Sequence, residues 1–335
     1  MSELVFPAGY RPKLTLRETQ QAIKLTKDAF QSRLATALRL DRVTAPVILP
    51  AGSGLNDDLS GVERKVSFTM KNQPGEAEVV QSLAKWKRAA LGRYGYAPGE
   101  GIYTDMNAIR RDDECDNLHS LFVDQWDWEK VITAGQRSLS TLKETVKTIV
   151  GVLADVNALI TSVYPVLDGE IERNVTFITA EKLLKTYPGL DAKAREQAIV
   201  REKKTVCVIS IGDPLSDGRP HDSRAPDYDD WALNCDILLW DGVLETALEI
   251  SSMGVRVNAE SLARQLKAAN AEERASLPYH KAVLENRLPF TIGGGIGQSR
   301  ICMLLLQKAH IGEVQVSVWP ADMVKACEAH GITLL

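Results

Sequence analysis

The sequence lacks most of the features that would place it outside the ordinary globular class. It has no run of about 18 apolar residues, and the apolar patch in "MSELVFPAGYRPKLTLRE" is broken by Pro7 and Gly9. A membrane span and a secretory leader are therefore not expected. The five cysteines, Cys115, Cys207, Cys235, Cys302 and Cys327, form no C-x-x-C pair and have no matching histidine spacing. Neither zinc nor a disulfide framework is suggested, and a reducing, cytoplasmic setting fits. Basic excess is also absent: 40 Lys and Arg against 44 Asp and Glu leave a formal net charge of −4. That balance offers no electrostatic footprint for nucleic acid. No repeat or low-complexity linker interrupts the 335 residues, so a single domain over 1–335 is expected.

What is present is periodic. "LTLRETQQAIKLTKDAFQSRLATALRL", from Leu14 to about Leu40, has apolar positions three and four apart and predicts an amphipathic helix. It leads into "VTAPVIL", where Pro46 predicts a strand at an edge or interface. Strand-like runs follow at "KVSFTM", "EVVQSL", "GIYTDMNAI" and "HSLFVDQWD", and a second long helix covers "SLSTLKETVKTIVGVLADVNALI". Later come "TVCVISI", "CDILLW", "LETALEIS" and "LPFTIGGGI", a helix "GQSRICMLLLQK" and a final strand "EVQVSVW". This order predicts an α+β fold, an antiparallel β-sheet flanked by helices, with the helices on one side. The charged helix from Asp191 to Lys204 reads as a solvated face.

Several segments carry more polarity than a core needs. In "DNLHSLFVDQWDWE" the alternation puts Gln125, Asp127 and Glu129 on one strand face and Phe122, Trp126 and Trp128 on the other. The polar face is either wet or turned toward a ligand. "LETALEIS" repeats the oddity with Glu245, Glu249 and Ser251, and "APDYDDWALNCDILLW" adds Asp227, Asp229, Asp230 and Asp236. Such acids form an exposed loop or help to bind Mg²⁺, which takes one or two carboxylates plus substrate phosphates. "TIGGGIGQSR" stands between a strand and a helix; its glycines allow close approach of a flat or anionic ligand, or only tight packing. It matches neither the phosphate-loop nor the dinucleotide fingerprint. Arg300, three residues into that helix, can stack on a purine or clamp a phosphate. Arg110 and Arg111 close a strand in "NAIRRDDE", a place where arginine is often simply solvent-facing.

Taken together, "LRLDRVTAPVIL", "AIRRDDECDNLHSLFVDQWDWE" and "FTIGGGIGQSRICMLLL" resemble motifs 1, 2 and 3 of class II aminoacyl-tRNA synthetases. "DDLSGVERKV", "VVQSLAKWKR", "GEGIYTDMNAIR", "LSDGRPHDSRAPDYDDW", "LEISSMGVRV" and "GEVQVSVWP" narrow the resemblance to the ammonia-dependent aspartate–ammonia ligases, from about Leu14 to Pro320. "DDWALNCD" is short for a connection in that family.

The resemblance implies a class II synthetase-like catalytic core without an anticodon-binding domain, and a homodimer. It implies that the enzyme joins ammonia to L-aspartate at the expense of ATP, through β-aspartyl-AMP. Arg110 would then hold the α-phosphate and Arg300 the adenine. Asp127 would meet the substrate's α-ammonium, and Gln125 would touch both substrate and nucleotide. Ser82, Lys87, Ser251 and Arg256 match positions around the amino acid. Asp229, Asp236 and Glu249 match acids near the nucleotide, with Asp236 and Glu249 as Mg²⁺ ligands. Asp57, with Asp58 beside it, matches the acid that would accept a proton from ammonium. The competing enzymatic reading is a synthetase paralogue that adenylates an amino acid for tRNA or protein; the non-enzymatic one is a synthetase-like binding protein.

Overall fold

The computed structural model describes residues 4–57, 59 and 63–335. In chain order the elements are α1 (Leu16–Leu38), β1 (Leu40–Arg42), β2 (Ile48–Pro50), β3 (Ser67–Met70), β4 (Gln73–Val79), α2 (Ala84–Tyr94), β5 (Gly101–Ile109), β6 (Phe122–Val131) and α3 (Leu139–Val163). There follow β7 (Thr176–Thr179), α4 (Ala180–Thr186), α5 (Ala192–Lys203), β8 (Thr205–Ile209), β9 (Asp229–Asp241), β10 (Thr246–Arg256), α6 (Ala259–Ala268), α7 (Pro278–Leu284), β11 (Thr291–Gly297), α8 (Gln298–Leu305) and α9 (Ala321–Ala329).

Eight strands form one sheet in the order β1-β5-β6-β11-β10-β9-β8-β7, and β2-β4-β3 form a small second sheet. The large sheet is antiparallel except at its two ends, where β1 runs parallel to β5 and β7 parallel to β8. Helix α1 begins with a reciprocal cap: Glu18 N–H donates to Thr15 Oγ1, and the Glu18 carboxylate accepts from Thr15 N–H. Its inner stripe, with Phe30 and Leu34, packs beside α3 on the sheet, and Phe30 stacks on Trp126 with ring centroids 4.6 Å apart. Helix α3 is long and apolar enough to cross a membrane by length and composition, but Leu142, Val146, Ile149, Leu153, Val156 and Ile160 are buried against the sheet.

Helices take both faces of the sheet rather than one. Helix α2 covers Ile102 and Val131 on the opposite face, and α4 and α5 cover Val206, Val208 and Leu238 there. Between those two covered ends the middle strands stay open, and that gap is the site. The proline run departs from expectation: β1 ends at Arg42, before "VTAPVIL" begins, and only Ile48 and Leu49 of the run enter a strand, β2 in the small sheet, with Pro46 in the connection between the two strands. "EVQVSVW" is not a strand, because no backbone ladder pairs with it among the described residues. Instead, side chains tie it down, Gln315 to Ser299 and Ser317 to Ser120, leaving Val316 and Val318 exposed. "DDWALNCD" is no loop at all but the first part of the 13-residue strand β9.

Candidate active site

A cavity of about 630 Å³ opens over β6, β11 and β10. Its floor comes from the polar face of β6. Pleating sends Trp126 and Trp128 into the core, both 0% exposed, and Gln125, Asp127 and Glu129 to the other side. The glycines of β11 make room for them. Gly293 lies opposite Glu129 and Gly295 opposite Asp127. A Cβ on Gly293 would overlap the Glu129 carboxylate, and one on Gly295 the Gln125 amide. Both positions need glycine for these side chains, whatever ligand binds above.

Beneath this floor lies a fully buried ion-pair network. Arg256 donates from Nε to Glu129 Oε1 at 3.0 Å, from Nη2 to Glu129 Oε2 at 2.7 Å, and from Nη1 to Asp229 Oδ1. Lys87 Nζ donates to Asp127 Oδ1, to the Trp128 carbonyl at 2.9 Å and to the Gly294 carbonyl at 3.1 Å. Three acceptors around one amine is the pattern of an ammonium. Burial raises the Glu129 carboxyl, but Arg256 and Lys87 win and hold it below the usual range. Burial likewise draws the Lys87 ammonium down, against Asp127 and Glu129. Asp229 goes the other way, raised by burial in spite of Arg256.

Among the described residues the other Asp127 oxygen, Oδ2, has no hydrogen-bond partner, and the Ser251 hydroxyl and the Gln81 amide are also buried without one. Unsatisfied polar atoms of this kind are costly in a folded protein unless a ligand pairs with them. Asp57, 2% exposed, lies on the cavity wall near Tyr228, whose hydroxyl is raised by burial and then by Asp57 and Asp229. Ser82 stands at the start of α2, its Oγ accepting from Ala84 N–H at 3.2 Å. These groups form one polar end of the cavity. Asp58 falls outside the described residues.

The other end is cationic. Arg110 follows β5, and among the described residues its side chain hydrogen-bonds only the Gln81 carbonyl, at 3.3 Å, with Nε unpartnered. Arg300, on the first turn of α8, donates from Nη1 to the Glu249 carbonyl at 2.8 Å. Neither guanidinium is neutralised by a carboxylate hydrogen bond. Glu249 lines the wall, and burial raises its carboxyl until Arg300 and Arg224 bring it below the usual range.

Two expected residues stand back from the surface. Lys87 lies under Asp127, and Asp236 lies behind the wall, ion-paired with Arg224. Burial pushes the Asp236 carboxyl up to about 6, against Arg224, so it is ionised at neutral pH. Asp229 sits with Arg256 at the end that holds Asp127 and Ser251, not beside Glu249 and Arg300. The four acids of "APDYDDWALNCD" are all buried and paired, Asp227 with Lys85 and His280 at 2.9 Å each and Asp230 with Arg137 at 2.8 Å. They are not an exposed loop. Residues that the sequence did not single out for the site are Arg224, Tyr228 and His119, all on the cavity wall. Tyr228 stands inside the stretch quoted for its acids and Arg224 immediately before it, and the fold brings both to the cavity beside β10.

The donor set accommodates a hard cation. Among the described residues no three His, Cys, Asp or Glu gather into a self-sufficient metal site. Asp236 and Glu249, on neighbouring strands, offer the one or two carboxylates that Mg²⁺ takes when phosphates supply its other ligands.

The model for the aspartate–ammonia ligase family matches residues 17–331. The aspartate–ammonia ligase of Clostridium perfringens strain 13 is 54% identical over 336 residues, covering 100% of both chains. That of Lactobacillus johnsonii is 52% identical over 334 residues, covering 99% of both. Among solved structures, asparaginyl-tRNA synthetase of Entamoeba histolytica in complex with asparaginyl-adenylate has a TM-score of 0.61 at 18% identity, over 89% of this chain and 66% of that one. The Pyrococcus horikoshii asparaginyl-tRNA synthetase complexed with asparaginyl-adenylate gives 0.60 at 15%, over 96% and 77%. At those identities the likeness establishes the fold, that of the class II synthetase core. With its sequence matched end to end and its cavity built on that core, the chain belongs to the aspartate–ammonia ligase family.

Proposed function

We propose that the cavity joins ammonia to the side chain of L-aspartate through β-aspartyl-AMP, releasing AMP and pyrophosphate. The observation that carries this reading is the polarity of the cavity: an acid-lined end that fits an amino acid's ammonium beside an end where two arginines, Arg110 and Arg300, hydrogen-bond carbonyls and no carboxylate among the described residues. We read the chain as one catalytic unit acting in the cytoplasm. A homodimer is also proposed, supported by the exposed Val47 and Ile48 beside the interface proline Pro46.

The chemistry follows from the chain's own groups. The Asp127 oxygen left unpaired accepts from the substrate α-ammonium, while Lys87 below holds the other oxygen in place. Gln125 and Ser251 orient the substrate, and Ser82 and Arg256 bound its carboxylates. An oxygen of the β-carboxylate attacks the α-phosphorus of ATP, and the bond from that phosphorus to the bridging oxygen breaks. Pyrophosphate leaves with those electrons. Arg110 steadies the charge on the α-phosphate, and Arg300 the nucleotide above Glu249. Asp236 and Glu249 would hold Mg²⁺, which supplies charge neutralisation at the phosphates. Asp57 then takes one proton from ammonium and the freed nitrogen attacks the β-carbonyl; as the adduct collapses the bond from the β-carbon to the phosphate oxygen breaks, AMP departs with those electrons, and the second nitrogen proton passes to water or to the departing phosphate.

Transfer to tRNA is disfavoured by the formal net charge of −4, which offers no basic surface to an acceptor strand. The deciding experiment supplies ATP, Mg²⁺ and aspartate with and without an ammonium salt, and follows pyrophosphate and asparagine together. Asparagine formed only with ammonium supports the reading; pyrophosphate with no asparagine overturns it. In the same assay Asp57→Asn keeps aspartate-dependent pyrophosphate formation and loses most asparagine; equal loss of both would remove Asp57 from the ammonia step.

A further inference from the structure

Four arginines line the cavity: Arg110, Arg224, Arg256 and Arg300. Arg256 is committed to Glu129 and Asp229 under the floor. In the reading above Arg110 serves the α-phosphate and Arg300 the nucleotide above Glu249, so no side chain is yet assigned to the β and γ phosphates that leave as pyrophosphate. The fourth arginine has no role in the reading so far.

Arg224 lies on the loop between β8 and β9. Its Nη2 donates to Asp236 Oδ2, and its Nη1 to Asp222 Oδ2 at 3.0 Å and to the Ser223 carbonyl at 2.9 Å. These partners differ in kind. Asp236 is buried at 3% exposure and keeps a second oxygen, Oδ1, with no hydrogen bond. Asp222 is on the cavity mouth with its side chain 43% exposed. A buried carboxylate without a countercharge is strongly unfavourable, so some cation must sit beside Asp236 while the cavity is empty. Once a cation arrives with the nucleotide, Asp236 no longer needs Arg224. The guanidinium is then beside the phosphates, and its planar fork matches phosphate oxygens.

We infer that Arg224 is the cation for the leaving pyrophosphate, held in reserve on Asp236 and Asp222 until a nucleoside triphosphate enters. It acts as a binding residue for the β and γ phosphates, with Asp222 as the hinge-side partner that it keeps. The inference rests on the nucleotide reading above, and it is specific to the part of ATP that AMP lacks.

The test compares ATP, inorganic pyrophosphate and AMP by calorimetric titration of wild type, Arg224→Lys and Arg224→Met. Arg224→Met is expected to weaken ATP and pyrophosphate at least 10-fold and to leave AMP within about 2-fold. Arg224→Lys, which keeps the charge and protects against misfolding, should lie between, because an ammonium cannot reproduce the fork. In the nucleotide-free protein Arg224→Met should also lower the melting temperature, and Asp236→Asn added to it should restore the loss. Equal weakening of AMP and ATP in both variants would overturn the inference and make Arg224 a structural support. Wild type that binds neither nucleotide would overturn the nucleotide reading itself.

Discussion

The two faces of β6 are built by opposite rules. On one, Trp126 and Trp128 fill the space over α1 and α3, and the favourable term is apolar area removed from water, on the order of 1.5–3 kcal/mol for each large side chain. On the other, one residue away along the same strand, Asp127 and Glu129 are just as buried and are held by Lys87 and Arg256. An ion-pair network of that kind is often no more stable than apolar residues of the same size. Its presence marks a surface shaped for a charged ligand rather than for stability, and the unpaired Asp127 oxygen points the same way.

The largest expected effects come from breaking each face by its own rule. Trp128→Ala should cost about 3–5 kcal/mol in urea unfolding through the cavity it leaves. Glu129→Ala should cost a similar 3–5 kcal/mol for another reason, since it strands Arg256 and Lys87 without a countercharge. The contrast sharpens with near-isosteric changes. Glu129→Gln keeps the volume and should still be strongly destabilised, whereas Trp128→Phe keeps apolar character and should recover much of the loss. A Glu129→Gln protein as stable as wild type would erase the distinction between the faces.

Next in size is a change that separates function from stability inside the cavity. Among the described residues Arg110 hydrogen-bonds only the Gln81 carbonyl, at the long distance of 3.3 Å, so folding gains little from it. Arg110→Met should lower aspartate-dependent pyrophosphate formation on the order of 100-fold or more. Its unfolding midpoint should stay within about 0.5 kcal/mol of wild type. A fall in both would move Arg110 into the class of Glu129.

How much of this was legible in the sequence varies with the physical rule involved. Period-2 alternation exposed the two faces of β6 before any coordinates, because pleating is local. The glycine run reads in sequence as room for a flat or anionic ligand or as tight packing, and what packs against Gly293 and Gly295 is Glu129 and Gln125 from the neighbouring strand. Register across a sheet is not written in one strand. Arg224 was invisible for the same reason: its partner Asp236 is 12 residues away, across a turn whose path composition does not fix. "EVQVSVW" failed as a strand because alternation says which side chains share a face and nothing about whether a neighbouring strand exists to bond with.

The smallest effect concerns a buried titratable group that takes part in neither network. His310 is 0% exposed, its Nδ1 accepts from Gly312 N–H at 3.0 Å, and its ring meets Trp319 edge-on at 5.0 Å. Burial lowers it to about 4, with Asp116 only weakly opposing. A histidine lowered in the folded state is neutral there while the unfolded chain takes up a proton, so stability is full above about pH 6.5 and falls as pH drops toward 4. Between pH 8 and pH 5 that amounts to about 2 kcal/mol. His310→Asn keeps an acceptor suited to capping Gly312 N–H and removes the titration. Its unfolding free energy should therefore fall about 2 kcal/mol less than that of wild type over the same range. Parallel curves for the two proteins would mean that the His310 ring admits its proton without opening the fold, and the charge-sensitive burial would then be confined to the polar side of β6.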